Sequence, residues 1–182
     1  MKRIALFMDG ANFYYIQKKM GWNIDTKKLL NLCNIYGEIV EAVYYTGVYE
    51  NKNQKRYLDK LICDGYSLNT KPIKTIYDRN TGTYFHKGNM DVEITVDMLS
   101  MIDRYDVAIL VSGDGDFNCV LQQLISKGKE VKIISTQCCV ASDFVHSADI
   151  KYIDLCGIRD IVEYTSPSFA LPNGVKSIPK VS

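Results

Sequence analysis

Two short apolar runs in this chain end in aspartate-rich turns, and that pairing limits the folds open to it. Ile4-Ala5-Leu6-Phe7-Met8 runs into Asp9-Gly10-Ala11-Asn12, and Val107-Ala108-Ile109-Leu110-Val111 runs into Ser112-Gly113-Asp114-Gly115-Asp116. Apolar stretches of this length, followed by glycine-containing turns and then helical periodicity, describe strands buried on both faces of a parallel sheet. Such sheets bind ligands beyond the carboxyl ends of their strands, where the strand order reverses. Carboxylates delivered to one edge repel each other. A divalent cation between them is the economical remedy, and the combination points to phosphoryl chemistry.

The rest of the chain alternates strand with helix. After a first strand over 3–8, helical segments are predicted over about 11–20 and from Asp25, a good N-cap, to Tyr36. A strand over 39–47, a helix over 53–65, an extended stretch over 66–76, a turn at Asp78–Gly82 and a hairpin arm over 83–86 follow. A helix over 90–104, a strand over 106–111, a helix over 116–127 stopped by Gly128, and a strand over 131–135 come next. A short helix near 141–147 and a last strand at 152–155 complete the body. Alternation of this kind builds right-handed βαβ units, hence an α/β fold with a mostly parallel sheet between helical layers. Residues 1–164 read as one domain, and 165–182, with Pro167, Pro172, Pro179 and several serines, as a tail.

Composition narrows the function classes. Among 182 residues, 22 basic and 21 acidic side chains leave a net charge of +1, which excludes a broadly basic nucleic-acid coat but allows a local basic rim. The six cysteines show no Cys-x-x-Cys spacing, and four of them sit within apolar patterns, which reads as buried free thiols of a reducing cytosol; two histidines make a His/Cys zinc site improbable. The first apolar run is too short for a secretory signal, and no segment reaches membrane-spanning length. The expectation is a cytoplasmic protein without a membrane partner.

A third acidic segment lies between the two strand ends: Lys87-Gly88-Asn89-Met90-Asp91-Val92-Glu93-Ile94-Thr95-Val96-Asp97, at the entry to a helix. Asp91, in the first turn, can point beyond the helix N-terminus. Asp97 lies one and a half turns further in and needs a bend or a bridging group to reach the same place. Asn12 offers a neutral amide to orient a phosphate or water, and Lys87 a charge for a scissile phosphate.

Together, Asp-Gly-Ala-Asn after a first strand, Lys-Gly-x-x-Asp-x-x-x-x-x-Asp, and Val-Ser-Gly-Asp-Gly-Asp-Phe resemble the NYN family in its bacterial LabA-like branch, over roughly residues 2–156. The segment from Phe144 to Leu155 is similar to that branch's closing segment, whereas Lys-Gly-x-x-Asp carries one residue more than the branch's usual Lys-Gly-x-Asp. The resemblance implies a fold similar to PIN-domain nucleases, with strand order 3-2-1-4-5, and RNA cleavage at an acidic cluster binding Mg²⁺ or Mn²⁺. The implied catalytic set is Asp9, Asn12, Asp91, Asp114 and Asp116, with Asp9, Asp91, Asp114 and Asp116 holding metal and Asp97, Ser112 and Lys87 in support.

Simpler roles stand beside these. Asp9, Asp114 and Asp116 can cap the helices that follow them. Lys52, Arg56 and Lys60 form an i, i+4, i+8 stripe that reads either as a solvated face or as an RNA-binding rim. Phe13, Tyr14, Tyr45 and Tyr49 lie near strand ends, where aromatic rings can stack unpaired bases. The leading function is a metal-dependent ribonuclease with RNA as partner. A non-catalytic RNA-binding or regulatory module and a metal-dependent hydrolase of a small phosphoester are the alternatives, and a homodimer is left open.

Overall fold

The computed structural model describes residues 1–48, 52–78 and 83–165. Its centre is a six-stranded, wholly parallel sheet built from β1 (Arg3–Asp9), β2 (Glu38–Val48), β3 (Ser67–Pro72), β6 (Val107–Val111), β7 (Glu130–Ser135) and β8 (Ile150–Asp154). β4 (Lys74–Asp78) and β5 (Thr83–Lys87) pair as a separate antiparallel hairpin. The spatial order β3-β2-β1-β6-β7-β8 is the expected 3-2-1-4-5 order with a sixth strand added at the far edge. After β1 the chain builds leftward to β3, then returns to place β6 against the other side of β1. The strand order therefore reverses between β1 and β6, where the two aspartate turns emerge.

Side-chain alternation along β1 divides the core. Ile4, Leu6 and Met8 pack under α1 (Gly10–Met20), α2 (Thr26–Cys33), α3 (Lys52–Asp64) and α7 (Arg159–Val162). Ala5 and Phe7 pack under α4 (Asp91–Ser100), α5 (Asn118–Ser126) and α6 (Ser142–His146). All five residues of β6 are buried, as a central parallel strand requires. The result is the three-layer sandwich the periodicity predicts.

Several local expectations change. The extended stretch over 66–76 is broken at Ile73, so that β3 joins the parallel sheet and β4 turns away into the hairpin. The turn around 79–82, Tyr49 and the tail beyond residue 165 lie outside the described residues. The buried-thiol reading holds for Cys33 alone: Cys63, Cys119, Cys138 and Cys156 are exposed and Cys139 is half-buried. Cys63 and Cys119 sit on the outward faces of helices whose inner faces are filled by larger side chains. No described helix is long and apolar enough to cross a membrane.

Candidate metal centre

The site is built at the carboxyl edge of the sheet, over the β1–β6 junction. Met8 pairs with Val111, so Asp9 ends β1 beside Ser112, the residue that follows β6. Asp9 caps α1: its Oδ1 accepts the backbone N–H groups of Ala11 and Asn12, each at 3.1 Å. Its Oδ2 accepts the Ser112 hydroxyl at 3.2 Å, and the Ser112 oxygen in turn accepts the Asp114 N–H at 3.2 Å. Asn12 Oδ1 accepts the Gly113 N–H at 3.0 Å, so the Asn12 carbonyl that sequence offered to a ligand joins one turn to the other.

Gly113 is required by close approach. A Cβ there would lie 2.1 Å from the Cys139 carbonyl oxygen and 2.7 Å from Ser135 Oγ. Ser135, at the end of β7, is fully buried with no hydrogen-bond partner for its hydroxyl among the described residues. It is a further polar group at this edge that sequence reasoning missed. Its signal was its place at the end of a third strand.

Beyond the turn, Asp114 caps the next short helical turn, accepting the Asp116 N–H at 3.0 Å. Asp91 opens α4, where Asn89 braces it twice: Asn89 Oδ1 accepts the Asp91 N–H at 2.8 Å, and Asn89 Nδ2 donates to Asp91 Oδ2 at 2.5 Å. Oxygens of Asp91, Asp114 and Asp116 lie within 4.8 Å of one another, with Asp91 and Asp114 half-buried and Asp116 exposed. Asp9 stands behind this group, 6% exposed and outside the 4.8 Å set.

The electrostatics follow from that crowding. Burial lifts the Asp9 carboxyl above its ordinary pKa, and the Asp91 charge lifts it further against the pull of the capping N–H groups. Burial likewise lifts Asp91; the Asn89 bond opposes this, and the charges of Asp114 and Asp116 add to the rise. A Mg²⁺ ion holds oxygens at about 2.0–2.1 Å, which puts opposite ligands about 4.1 Å apart. The three oxygens lie within 4.8 Å of each other, so side-chain rotation of under about 1 Å closes them on one ion. Oxygen donors of this kind fit a hard divalent cation and do not suit a thiophilic metal.

The remaining sequence-predicted residues divide. Asp97 lies about 9 Å along the α4 axis from Asp91. There its Oδ2 accepts the hydroxyl of Tyr45 and the amide of Asn69, each at 3.0 Å. Glu93, one turn earlier, pairs with Lys71 at 2.7 Å. Together they fasten α4 to β2 and β3, and so set where Asp91 points. Lys87 ends β5, and its side chain lies outside the described residues. Lys52 and Arg56 are exposed near the start of α3, close to the carboxyl edge. Lys60 sits about 12 Å beyond Lys52 along that helix, bonded to Thr26 Oγ1 at 2.9 Å and Asp64 Oδ2 at 2.5 Å, so the basic stripe leads away from the edge. Phe13 and Tyr45 are fully buried and cannot stack a base; Tyr14, 67% exposed, can.

Comparison with known proteins agrees with the motifs. The NYN domain family matches residues 3–156. The chain is 37% identical over 166 residues to the low amplitude and bright protein LabA of Synechococcus elongatus, spanning 90% of this chain and 89% of that relative. Its fold matches the crystal structure of a Vibrio parahaemolyticus protein of unknown function with a TM-score of 0.73. At 24% identity, over 88% of this chain and 96% of that one, this is a likeness of fold alone. All three acidic motifs fall within the matched segment, and the chain belongs to the NYN domain family.

Proposed function

We propose that the protein is a metal-dependent ribonuclease that hydrolyses RNA phosphodiester bonds at the edge site, with Mg²⁺ or Mn²⁺ as cofactor. The observation that carries this reading is the convergence of Asp91, Asp114 and Asp116 within 4.8 Å at the strand-order reversal. The bound ion supplies charge neutralisation on the scissile phosphate and acidification of the attacking water. Asp91, Asp114 and Asp116 would hold the ion. Asp9, locked by two backbone N–H groups and the Ser112 hydroxyl, keeps the two turns in register and adds negative charge behind the ion. Asn12 Nδ2 has no partner among the described residues and can orient a phosphate oxygen or a water. Among the described side chains His146 lies on α6 with Nδ1 against the Ser142 carbonyl, apart from this set, and this reading gives the proton transfers to carboxylates and water.

Lys52 and Arg56 track the flanking RNA backbone in this reading, with Lys60 more remote. Replacing the first two by Ala makes the log–log salt dependence of RNA binding shallower by about 1.4, at about 0.7 per single-strand phosphate contact.

The test is incubation of the purified protein with mixed RNA in Mn²⁺, Mg²⁺ or EDTA, beside Asp114→Asn. Wild type cuts with metal and not in EDTA. The variant does not cut, yet binds RNA in EDTA at least as well, because a negative charge has been removed. Cleavage that survives EDTA or Asp114→Asn overturns the reading. Binding without cleavage under either ion leaves a regulatory RNA binder, and turnover of a small phosphoester alone leaves a phosphohydrolase.

A further inference from the structure

A cavity of about 390 Å³ opens on the other side of the β1–α1 turn from the carboxylates, between α1, α3 and the segment 23–26. Its walls are unusually aromatic: Phe13, Tyr14, Tyr44, Tyr57 and Tyr164 all line it. Tyr44 and Tyr57 meet edge to face with ring centroids 6.0 Å apart, forming a rigid floor. The Tyr44 hydroxyl lies 2.7 Å from where a Gly10 Cβ would stand, so the floor abuts the residue that follows Asp9. The cavity continues into a hollow of about 300 Å³ that shares Tyr14, Gln17 and Asn23 and adds Lys18.

Three properties identify an occupant. The volume is that of a small-ligand site rather than a packing gap. Tyr14 and Tyr164 line the cavity while remaining 67% and 45% exposed, which leaves ring surface for a planar group to cover. The polar groups are few: the Asn23 amide has no side-chain partner among the described residues, Lys60 is already bonded to Asp64 and Thr26, and Lys18, exposed, lines the adjoining hollow. No Asp or Glu lines either hollow among the described residues. A planar heterocycle with hydrogen-bonding edges and an attached anion matches all three.

We propose that this cavity binds a purine or pyrimidine base, stacked against Tyr14 and Tyr164, hydrogen-bonded by the Asn23 amide and with its phosphate held by Lys18. That the base belongs to an RNA strand rests on the ribonuclease reading. Tyr14 follows Asn12 by about 3 Å along α1 but about 200° around it, so the carboxylates and the cavity flank the same helix start, and a strand with one phosphate at the carboxylates reaches the cavity with a nucleotide further along. The acidic site would then cut at a set distance from an unpaired, captured base.

The experiment is an NMR titration of the full chain in EDTA, where cleavage plays no part, following the tyrosine ring signals. The probes are the four ribonucleoside 5′-monophosphates, ribose 5-phosphate and a uridine hexanucleotide. Mononucleotides are expected to shift the Tyr14 and Tyr164 rings upfield while ribose 5-phosphate does not. Tyr14→Ala and Asn23→Ala each weaken that binding about tenfold, as loss of one stacked ring or paired edge does. Tyr15→Ala, exposed on the same helix but outside the cavity, leaves it unchanged. Tighter binding of the hexanucleotide than of uridine monophosphate identifies RNA as the source of the base; equal binding identifies a free nucleotide. Rings unmoved by every nucleotide overturn the proposal, as does an equal shift with ribose 5-phosphate. Phe169→Ala moving the same rings without any nucleotide overturns it too, since the chain's own C-terminal residues would then fill the cavity. Because nothing here depends on metal, failure leaves the cleavage proposal standing, and loss of cleavage in Asp114→Asn leaves this one standing.

Discussion

Replacing Asp91 by Asn separates a metal centre from an ordinary helix start. The Asp91 carboxylate lies within 4.8 Å of oxygens from both Asp114 and Asp116. At that separation two unit charges repel by about 0.9 kcal/mol in water and about 3.5 kcal/mol at an effective dielectric of 20. Asp116 is exposed and the other two are half-buried, so solvent screening sets each pair nearer the lower figure. The two pairs together are worth about 2–3 kcal/mol. Against this stands the loss of an acidic group from the first turn of α4, about 0.3–1 kcal/mol. An Asn side-chain oxygen still accepts the Asn89 amide, and the Asn89 bond to the backbone N–H is unaffected. The variant is therefore more stable than wild type in EDTA by about 1–2 kcal/mol, and melts about 2–8 °C higher for a chain of this size. Mn²⁺ at a hundredfold excess over its dissociation constant stabilises wild type by about 2.7 kcal/mol. The variant, short of one carboxylate, gains little from it. Thermal melts in EDTA and in Mn²⁺ should thus rank the two proteins in opposite orders. A variant that melts below wild type in EDTA, yet gains the same increment from Mn²⁺, would falsify the argument and mark Asp91 as a structural cap.

Other perturbations probe the supports of the site. Asp97→Ala strips the buried Tyr45 hydroxyl of its acceptor and should lower stability by about 1–3 kcal/mol, while Asp97→Asn, which keeps an acceptor, costs less; both are read from urea unfolding. Gly113→Ala drives a methyl group into the Cys139 carbonyl and should lower Tm and abolish the Mn²⁺ increment together. In metal-free buffer, Asp9 and Asp91 have folded pKa values raised above their unfolded ones, so the folded state binds protons more readily. Stability should then rise as pH falls from neutral toward the ordinary carboxylate range, and Asp91→Asn should flatten that slope.

The sheet was legible in the sequence because its central strands are buried on both faces. Nothing but apolar side chains fits along Ile4–Met8 and Val107–Val111, and polar residues resume where each strand meets the edge. The neighbouring turns were legible for the same reason. Asp97 was not: its partners Tyr45 and Asn69 lie 52 and 28 residues away, on strands whose register no local pattern displays. The stacking rings divided along the same line. Phe13 and Tyr45 are residues of the two core faces, whereas Tyr14, one helical step from Phe13, faces solvent. Exposure of the cysteines also turns on tertiary packing, since a thiol in an apolar pattern can occupy either side of a helix. The aromatic cavity escaped notice because its walls come from α1, β2, α3 and Tyr164, which only the fold assembles.

The arrangement separates the groups that hold the fold from those that face a ligand, and charge explains why. Four carboxylates at one edge oppose folding unless each has its own reason to be there. Asp9 is held by the α1 N–H groups and Ser112 and does not depend on a cation. Asp114 is held by the Asp116 N–H, and Asp91 by Asn89. The remaining cost falls on the approach of α4 to the β6 turn, and it is offset at a distance by Glu93 on Lys71 and Asp97 on Tyr45 and Asn69. The Glu93–Lys71 pair is partly exposed and worth at most about 1 kcal/mol, so the half-buried Asp97, bonded to the buried Tyr45 as well as to Asn69, is the stronger clamp. The outer carboxylates can therefore stay close together without a ligand to hold them, and a cation would meet a site already gathered rather than one it must assemble.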